Sequence, residues 1–279
     1  MRPLITSPFT VEMATVAIRD LPRSLAGCRI VQLSDFHYDG ERLATPLLAA
    51  VIAQANALKP DLVALTGDYV TTDPSPIFRL IPYLQQLQSR YGTVAVLGNH
   101  DNISCGGRQT ILQALRQAGI QALWNQVAYP LGPGLPVVGL ADFWSTEFDP
   151  TGVMASISDA VPRLVLSHNP DSAAELTSYR VDLQLSGHTH GGQIVLPGLG
   201  PVPALTQALK QSTWAKLPFV SQPCLKVVHH WDWVSGLYQV GDNQLYVNRG
   251  LGTYAPGRFR CPPEVTLVRL IGAEGLSGG

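Results

Sequence analysis

Five short apolar runs, each followed at once by a polar cluster, constrain the fold of this chain most. The runs occupy residues 29–33, 62–66, 93–97, 164–166 and 181–185. The clusters after them read SDFH, GDYV, GNHD, SHNPD and SGHTHGG. Short apolar runs of this kind predict strands buried on both faces, as in a parallel or mixed sheet. Because loops converge at the carboxyl ends of such strands, we expect the five clusters to share one site.

The segments between several of these runs have the apolar spacing of helices. Residues 47–58, 77–87 and 110–118 repeat apolar side chains with a period near that of an α-helix. Strands that alternate with helices indicate an α/β protein whose helices cover the outer faces of the sheet.

The pattern changes toward the carboxyl terminus. Residues 236–240 and 244–248 flank a Gly-Asp-Asn turn and predict a β-hairpin, and residues 264–270 predict a final strand. Residues 197–234 are punctuated by prolines and show no clear period. We expect that segment to be a lid or an insertion.

Length and composition favour one domain with a substantial core. The chain has 279 residues, of which 46% are hydrophobic and only 14% charged. We expect residues 1–272 to form a single domain and residues 273–279 to be a flexible tail. The 19 basic and 20 acidic residues nearly balance, so the sequence carries no electrostatic footprint of nucleic-acid binding.

The cysteines and the hydropathy of the chain indicate where in the cell the protein is expected. The four cysteines are scattered without a CxxC pair (Cys28, Cys105, Cys224 and Cys261), which favours reduced thiols in a cytoplasmic protein. Charges and prolines interrupt residues 1–30, and no later stretch has 18 uninterrupted apolar residues. We expect a soluble, cytoplasmic protein that could be peripheral to the inner face of the membrane.

The clusters are rich in groups that bind metals, and five of the seven histidines lie in them. They supply three aspartates, one asparagine and five histidines: Asp35, His37, Asp68, Asn99, His100, Asp101, His168, His188 and His190. This mixture of oxygen and imidazole donors suits Zn, Mn or Fe better than Ca or Mg. One catalytic ion needs about three protein ligands, so the set predicts two ions about 3.5–4 Å apart. Asp68, alone after a glycine, is the natural bridge.

Taken singly, these residues have ordinary explanations. Asp35 or Asp68 could cap a helix, and His168 could lie in the turn made by Asn-Pro. Asp171, after the same Asn-Pro, is expected to cap the next helix and to lie outside the site. These explanations do not account for nine donors that each follow a β run.

The ordered pattern DxH, GD, GNHD, H and GHxH resembles the calcineurin-like metallophosphoesterase superfamily. SHNPD, GHTHGGQ, NRGLG (248–252) and CPPEVTL (261–267) are similar to one bacterial branch, the YkuE/YaeI-like phosphoesterases. The resemblance implies a four-layer α/β/β/α sandwich with the metals at the strand ends. It also implies hydrolysis of phosphate esters by a hydroxide that bridges two divalent ions, Mn, Zn or Fe.

The resemblance further implies a role for each donor. One ion would take Asp35, His37, Asp68 and His190, and the other Asp68, Asn99, His168 and His188. His100 would protonate the leaving oxygen or stabilise the transition state. Asp101 is expected to hold the ring of His100, as carboxylates commonly orient catalytic histidines.

Two features bear on the substrate. Arg249 in NRGLG could bind a substrate phosphate bidentately, or it could pair with a surface carboxylate. Residues 203–233 interleave three tryptophans with lysines, so they could form a lid against an acyl chain or membrane, or an insertion with its own small core. The adjacent His229 and His230 are expected to be surface or lid residues.

The expected reaction is hydrolysis of a phosphodiester or pyrophosphate bond, and the substrate could be lipid-linked. One enzyme of the branch cleaves the pyrophosphate of UDP-2,3-diacylglucosamine. The alternatives are a broad phosphomonoesterase or protein phosphatase, and a non-catalytic scaffold of the same fold. The complete donor set argues against the scaffold.

Overall fold

The computed structural model describes residues 8–210 and 228–273, which form two six-stranded sheets and a two-stranded ribbon. The strands are β1 (Thr10–Ile18), β2 (Arg29–Leu33), β3 (Leu62–Leu65), β4 (Thr93–Ala95), β5 (Gln121–Ala122), β6 (Gln126–Ala128), β7 (Val137–Gly139), β8 (Leu164–Leu166), β9 (Leu183–Ser186), β10 (Val195–Leu196), β11 (Gly200–Pro201), β12 (Gly236–Val240), β13 (Asn243–Val247) and β14 (Glu264–Gly272). The α-helices are α1 (Thr45–Ala57), α2 (Ile77–Leu84), α3 (Gly107–Gln117), α4 (Pro150–Met154), α5 (Ser172–Glu175) and α6 (Val202–Lys210).

Both large sheets are mixed, with a parallel centre. The first has the order β1-β14-β2-β3-β4-β5, and the second β12-β13-β9-β8-β7-β6. Strands β2, β3 and β4 are parallel neighbours in the first sheet, and β7, β8 and β9 in the second. The carboxyl ends of three adjacent strands therefore lie along one edge of each sheet.

Alternate residues of the central strands belong to different layers. In β3, Leu62 and Ala64 pack in the core between the two sheets, whereas Val63 and Leu65 pack with the side chains of α1, α2 and α3. In β8, Val165 packs on the opposite side with residues of α4. Burial on both faces explains the nearly continuous apolar runs. The expected α/β/β/α sandwich is confirmed.

Side chains tie the two sheets together beside the converging strand ends. Gln32 in β2 donates through Nε2 to the carbonyl oxygen of Ser186 in β9 at 2.8 Å and to Oγ1 of Thr66 at 3.0 Å. The His168 ring, after β8, reaches the Thr66 carbonyl oxygen at 2.7 Å. These buried contacts fix the relative position of the two strand-end edges.

The predicted elements are present, with shifted bounds. The five apolar runs are β2, β3, β4, β8 and β9, the helical spacings are α1, α2 and α3, and the hairpin is β12–β13. Residues 197–234 are less irregular than expected, because α6 begins at Val202 with Pro203 tolerated in its first turn. Residues 211–227 and 274–279 lie outside the described residues, so Trp214, Phe219 and most of the flexible tail are not covered.

Cys28, Cys105 and Cys261 are free thiols, and Cys224 lies outside the described residues. Among the helices of residues 8–210 and 228–273, none has the length and apolar character needed to cross a bilayer.

Candidate metal centre

Residues from both sheets converge where the strands end. The first sheet supplies Asp35 and His37 after β2, Asp68 after β3, and Asn99 and His100 after β4. The second sheet supplies His168 after β8 and the pair His188 and His190 after β9. The sequence therefore places the donors on loops that the two sheets hold rigidly against each other.

A first group of donors consists of Asp35, His37 and His190, whose ligand atoms lie within 4.8 Å of one another. The two Nε2 atoms of the histidines are 3.1 Å apart, and His190 Nε2 is 3.4 Å from Asp35 Oδ1. Metal bonds of about 2.0–2.1 Å place neighbouring ligand atoms roughly 3.0–3.4 Å apart. The spacing of this group therefore fits one transition-metal ion.

A second group consists of Asp68, His168 and His188, again within 4.8 Å of one another. His168 Nε2 lies 3.1 Å from Asp68 Oδ2 and 3.2 Å from His188 Nδ1. The same Asp68 oxygen lies 3.4 Å from Nε2 of His37 in the first group. Asp68 thus belongs to the second group and lies within reach of the first, and its role as a bridge stays a prediction.

Asn99 gives an independent sign of a metal. Its side-chain oxygen Oδ1 is buried and has no hydrogen-bond partner anywhere in the described residues. A buried carbonyl oxygen without a partner costs about 1–3 kcal/mol, and a cation that accepts the lone pair removes this cost. The amide is thus suited to complete the second group.

Backbone carbonyls orient two of the rings. Nδ1 of His168 lies 2.7 Å from the Thr66 carbonyl oxygen, and Nδ1 of His190 lies 3.2 Å from that of Gly252. Because a carbonyl oxygen can only accept, a proton sits on Nδ1 of His168, and Nε2 is the ring nitrogen that would bind a cation, releasing any proton it carries. This arrangement is typical of metal-binding histidines.

Burial and charge set the protonation of the rings. Burial lowers the pKa of His37 and of His190 to about 3, so both are neutral at pH 7, the form that binds metals. Burial also lowers the pKa of His168, but the neighbouring Asp68 carboxylate outweighs it and raises that pKa to about 10. The negative charge on Asp68 therefore attracts cations into the shared position.

The backbone of the donor loops is strained. Ten non-glycine residues have positive φ in the described part of the chain, and five of these are metal-ligand candidates: Asp35, His37, Asp68, His188 and His190. Left-handed backbone in residues other than glycine is uncommon and clusters at functional sites. The loops therefore hold these side chains in directions that relaxed backbone would not give.

Two glycines allow the donor loops to approach each other. A Cβ on Gly187 would lie 2.2 Å from Asp35 Oδ2, and a Cβ on Gly98 would lie 2.1 Å from Asp68 Oδ1. Both distances are far below van der Waals contact. The glycine of GHTH and the glycine of GNHD are therefore required by packing against the two carboxylates.

His100 lies beside the donors, but Asp101 does not orient its ring, and that expectation is wrong. His100 shares a group with His37 and Asp68, and its Nδ1 lies 2.6 Å from the Thr71 carbonyl oxygen. The Asp101 carboxylate instead accepts backbone N–H bonds from four residues: Gly98, Asp68, Tyr69 and Val70. Because these four N–H groups occupy the carboxylate, Asp101 fixes the neighbouring GD loop and not the His100 ring.

Of the two roles considered for Arg249, binding a substrate phosphate or pairing with a carboxylate, its contacts match the second. Its Nε donates to Glu264 at 2.7 Å, and its Nη2 donates to Glu12 and to Thr10 Oγ1. Both acidic partners lie on β1 and β14, at the side of the first sheet away from β3 and β4. Binding of a substrate phosphate by Arg249 stays a prediction that these contacts do not support.

Asp171 lies outside the donor groups, as expected, but it does not cap α5 with its side chain. Its carboxylate accepts the backbone N–H groups of His229 and His230 at 2.7 and 2.9 Å. Those two histidines are exposed, in agreement with the surface interpretation. Asp171 therefore anchors the chain where it returns at residues 228–230.

Two residues beside the centre were not found from the sequence. The Tyr254 hydroxyl lies 3.1 Å from Nδ1 of His37. The Arg258 side chain is fully buried and donates to the carbonyl oxygens of Arg249 and Gly252 at 2.8 and 2.7 Å. Their position so soon after NRGLG is a signal that could have directed attention to them.

Comparison with known proteins agrees with this geometry. A family model described as calcineurin-like phosphoesterase matches residues 28–192, more than half of the chain. The chain is 33% identical to the uncharacterized metallophosphoesterase YkuE of Bacillus subtilis, over 94% of this chain and 86% of that protein. It is 34% identical to the phosphodiesterase YaeI of Escherichia coli, over 87% of this chain and 82% of that protein.

A third relative is the UDP-2,3-diacylglucosamine pyrophosphatase LpxG of Chlamydia trachomatis, 29% identical over 90% of this chain and 87% of that protein. The family match spans every strand-end cluster from SDFH to GHTHGG. The expectation of a metal-dependent phosphoesterase is thereby confirmed, and the chain belongs to the calcineurin-like phosphoesterase family.

Proposed function

We propose that this protein is a two-metal phosphohydrolase that cleaves phosphodiester or pyrophosphate bonds. The observation that carries the proposal is the pair of donor groups with the Asp68 carboxylate within 3.4 Å of both, together with the unpartnered oxygen of Asn99. The first ion would be held by Asp35, His37, Asp68 and His190, and the second by Asp68, Asn99, His168 and His188. When bound, the two ions would activate water and neutralise charge on the phosphoryl oxygens.

His100 is the group best placed to assist the leaving oxygen. The Thr71 carbonyl oxygen, 2.6 Å from Nδ1, holds a proton on that nitrogen and leaves Nε2 to face the centre. A protonated ring would donate from Nε2, and the carbonyl would stabilise the positive charge. The backbone N–H of His100 donates to Asp68 Oδ1 at 2.9 Å, which fixes its distance from the shared carboxylate.

Diesters and pyrophosphates are favoured over monoesters because two relatives are a phosphodiesterase and a pyrophosphatase. The likeness to the pyrophosphatase supports a lipid-linked nucleotide as one substrate, with membrane contact through residues 203–233 as a further proposal. Most of that segment lies outside the described residues, and α6 covers its beginning.

Metal analysis combined with hydrolysis of bis-p-nitrophenyl phosphate tests the proposal. We expect two equivalents of Mn or Zn and metal-dependent turnover. A substrate panel of a UDP-diacylglucosamine, a nucleotide diester and a simple monoester then ranks the substrates. Two bound metals with no turnover on any of them would favour the non-catalytic scaffold.

A further inference from the structure

We infer that Arg42 forms an anion subsite beside the metal centre and binds the second phosphoryl group of a pyrophosphate substrate. The inference rests on the proposed function and narrows its substrate class. Arg42 lies in the loop between β2 and α1, a few residues after the DxH donors. The inference thus gives a substrate-binding role to Arg42 and not to Arg249.

A short chain of contacts connects Arg42 to the centre. Its guanidinium carbon lies 4.6 Å from the centroid of the Tyr254 ring, a cation–π contact. The Tyr254 ring in turn lies edge-on to His37, with centroids 5.0 Å apart. Tyr254 therefore contacts both the guanidinium and a metal-ligand candidate.

One edge of the guanidinium is held by the protein, and another donor is left over. Nη1 of Arg42 donates to the Asp39 carboxylate, which also accepts from Thr71 Oγ1 at 3.0 Å. Nε of Arg42 is buried and has no hydrogen-bond partner among the residues that the structure describes. An anion with several oxygens would satisfy this donor, and arginine suits phosphate because it can bind two oxygens at once.

Asp39 also couples the subsite to His100. Thr71 donates its hydroxyl to Asp39, and its carbonyl oxygen faces Nδ1 of His100. Arg42 and the proposed proton donor therefore rest on the same short segment, on one side of the centre. That is the side on which a departing group would lie.

The other two arginines near this site are occupied by the protein. Arg249 pairs with Glu264 and Glu12, and Arg258 is buried on backbone carbonyls. The Arg42 side chain keeps 22% of its surface exposed although Nε itself is buried, so in this proposal a ligand approaches the exposed part of the guanidinium.

The position selects the second phosphoryl group rather than the one under attack. The guanidinium packs on the Tyr254 ring and not on a donor, so in this proposal an anion bound to Arg42 lies beside the metal ligands and not among them. In a pyrophosphate the leaving group carries its own anionic phosphoryl group, whereas the alcohol that leaves a simple ester carries none. Arg42 therefore favours pyrophosphates over esters with a single phosphoryl group.

The test compares Arg42→Gln and Arg42→Lys with the matched control Arg79→Gln, a change of an exposed arginine on α2. The manganese-loaded full chain is assayed with diadenosine diphosphate, a pyrophosphate, and with bis-p-nitrophenyl phosphate. Losing a charged hydrogen bond costs roughly ten- to a hundredfold. We expect Arg42→Gln to lower kcat/KM for the pyrophosphate by that factor, at least tenfold more than for the ester, and Arg42→Lys to fall between.

A binding measurement keeps this inference separate from the proposed function. Calorimetry measures the affinity of the wild type and of Arg42→Gln for the methylene-bridged analogue of diadenosine diphosphate. Adenosine monophosphate, which has a single phosphoryl group, is the comparison ligand. Weaker binding of the analogue alone in Arg42→Gln supports the subsite even if the wild type hydrolyses nothing, a result that would overturn only the proposed function. The role of Arg42 would be refuted if Arg42→Gln kept the wild-type melting temperature and bound both ligands more weakly by the same factor. It would also be refuted if that variant bound both as tightly as the wild type does.

Discussion

Replacing Gly98 by alanine is expected to disable the metal centre without unfolding the protein. The new Cβ would lie 2.1 Å from Asp68 Oδ1 and 2.7 Å from the Asp68 backbone nitrogen. Gly98 is not in the left-handed region, so the change adds a clash and no backbone strain. Because the backbone nitrogen is also too close, rotation of the Asp68 side chain cannot relieve the contact.

The expected loss of activity follows from how far the Asp68 carboxylate must move. Ordinary contact begins near 3.4 Å, so the carboxylate oxygen must move by about 1.3 Å relative to Gly98. A misplacement of about 1 Å at a catalytic centre costs roughly 10²-fold in rate, or about 2.7 kcal/mol of activation free energy. Asp68 belongs to the second donor group and lies 3.4 Å from His37 of the first, so we expect weaker binding of both proposed ions in addition to the lower rate.

The assay measures metal content by mass spectrometry, hydrolysis of bis-p-nitrophenyl phosphate, and the melting temperature. The matched control is Gly272→Ala, at the end of β14, where a Cβ meets no atom within 4 Å. The control should keep wild-type activity and metal content. If Gly98→Ala retained two metals and turned over within twofold of wild type, the packing argument for Asp68 would be refuted.

The remaining predictions address single groups. Asn99→Ala should remove one ion selectively, seen as metal content falling toward one equivalent; two equivalents would exclude Asn99 as a ligand. His100→Ala should keep both metals and lower kcat by roughly 10²–10⁴-fold, and unchanged kcat would remove it from the mechanism. Arg258→Lys should lower the free energy of unfolding by about 1–3 kcal/mol because carbonyl oxygens lose their donors; an unchanged urea midpoint would contradict this. Burial raises the pKa of Cys28 to about 12, so at pH 8 roughly one thiol in 10⁴ is ionised. Iodoacetamide should therefore modify exposed Cys105 before Cys28, which peptide mapping can check.

The donors could be predicted because their positions depend on a strong signal. A strand that is buried on both faces has a run of apolar residues in its sequence, and the chain leaves the sheet where that run ends. Asp68 after β3 and His168 after β8 are examples, and they meet because the parallel centres of both sheets end at the same edge. Strand β1 was missed because its edge position leaves side chains partly exposed, and polar residues such as Glu12 and Thr15 break the apolar run.

The partners of the donors could not be predicted, since they depend on contacts between distant loops. Asp101 is adjacent to His100 in sequence, yet its carboxylate lies against the GD loop from β3. Tyr254 approaches His37 across more than 200 residues of chain. No periodicity or spacing encodes such contacts, because the direction of each side chain depends on loop backbone that only the folded structure specifies.

The strained donor loops explain why the centre needs both sheets. A left-handed residue other than glycine costs roughly 1–2 kcal/mol, so five of them consume a large part of the 5–15 kcal/mol that stabilises a typical domain. Hydrogen bonds between loops offset this cost: the Asp35 N–H donates to the Gly67 carbonyl oxygen at 2.9 Å, and the His188 N–H donates to the Asp35 carboxylate at 3.1 Å. The second bond joins the two sheets. A fragment that retained one sheet would keep part of the strain and lose the bonds that oppose it, so neither sheet alone can hold its half of the donors in place.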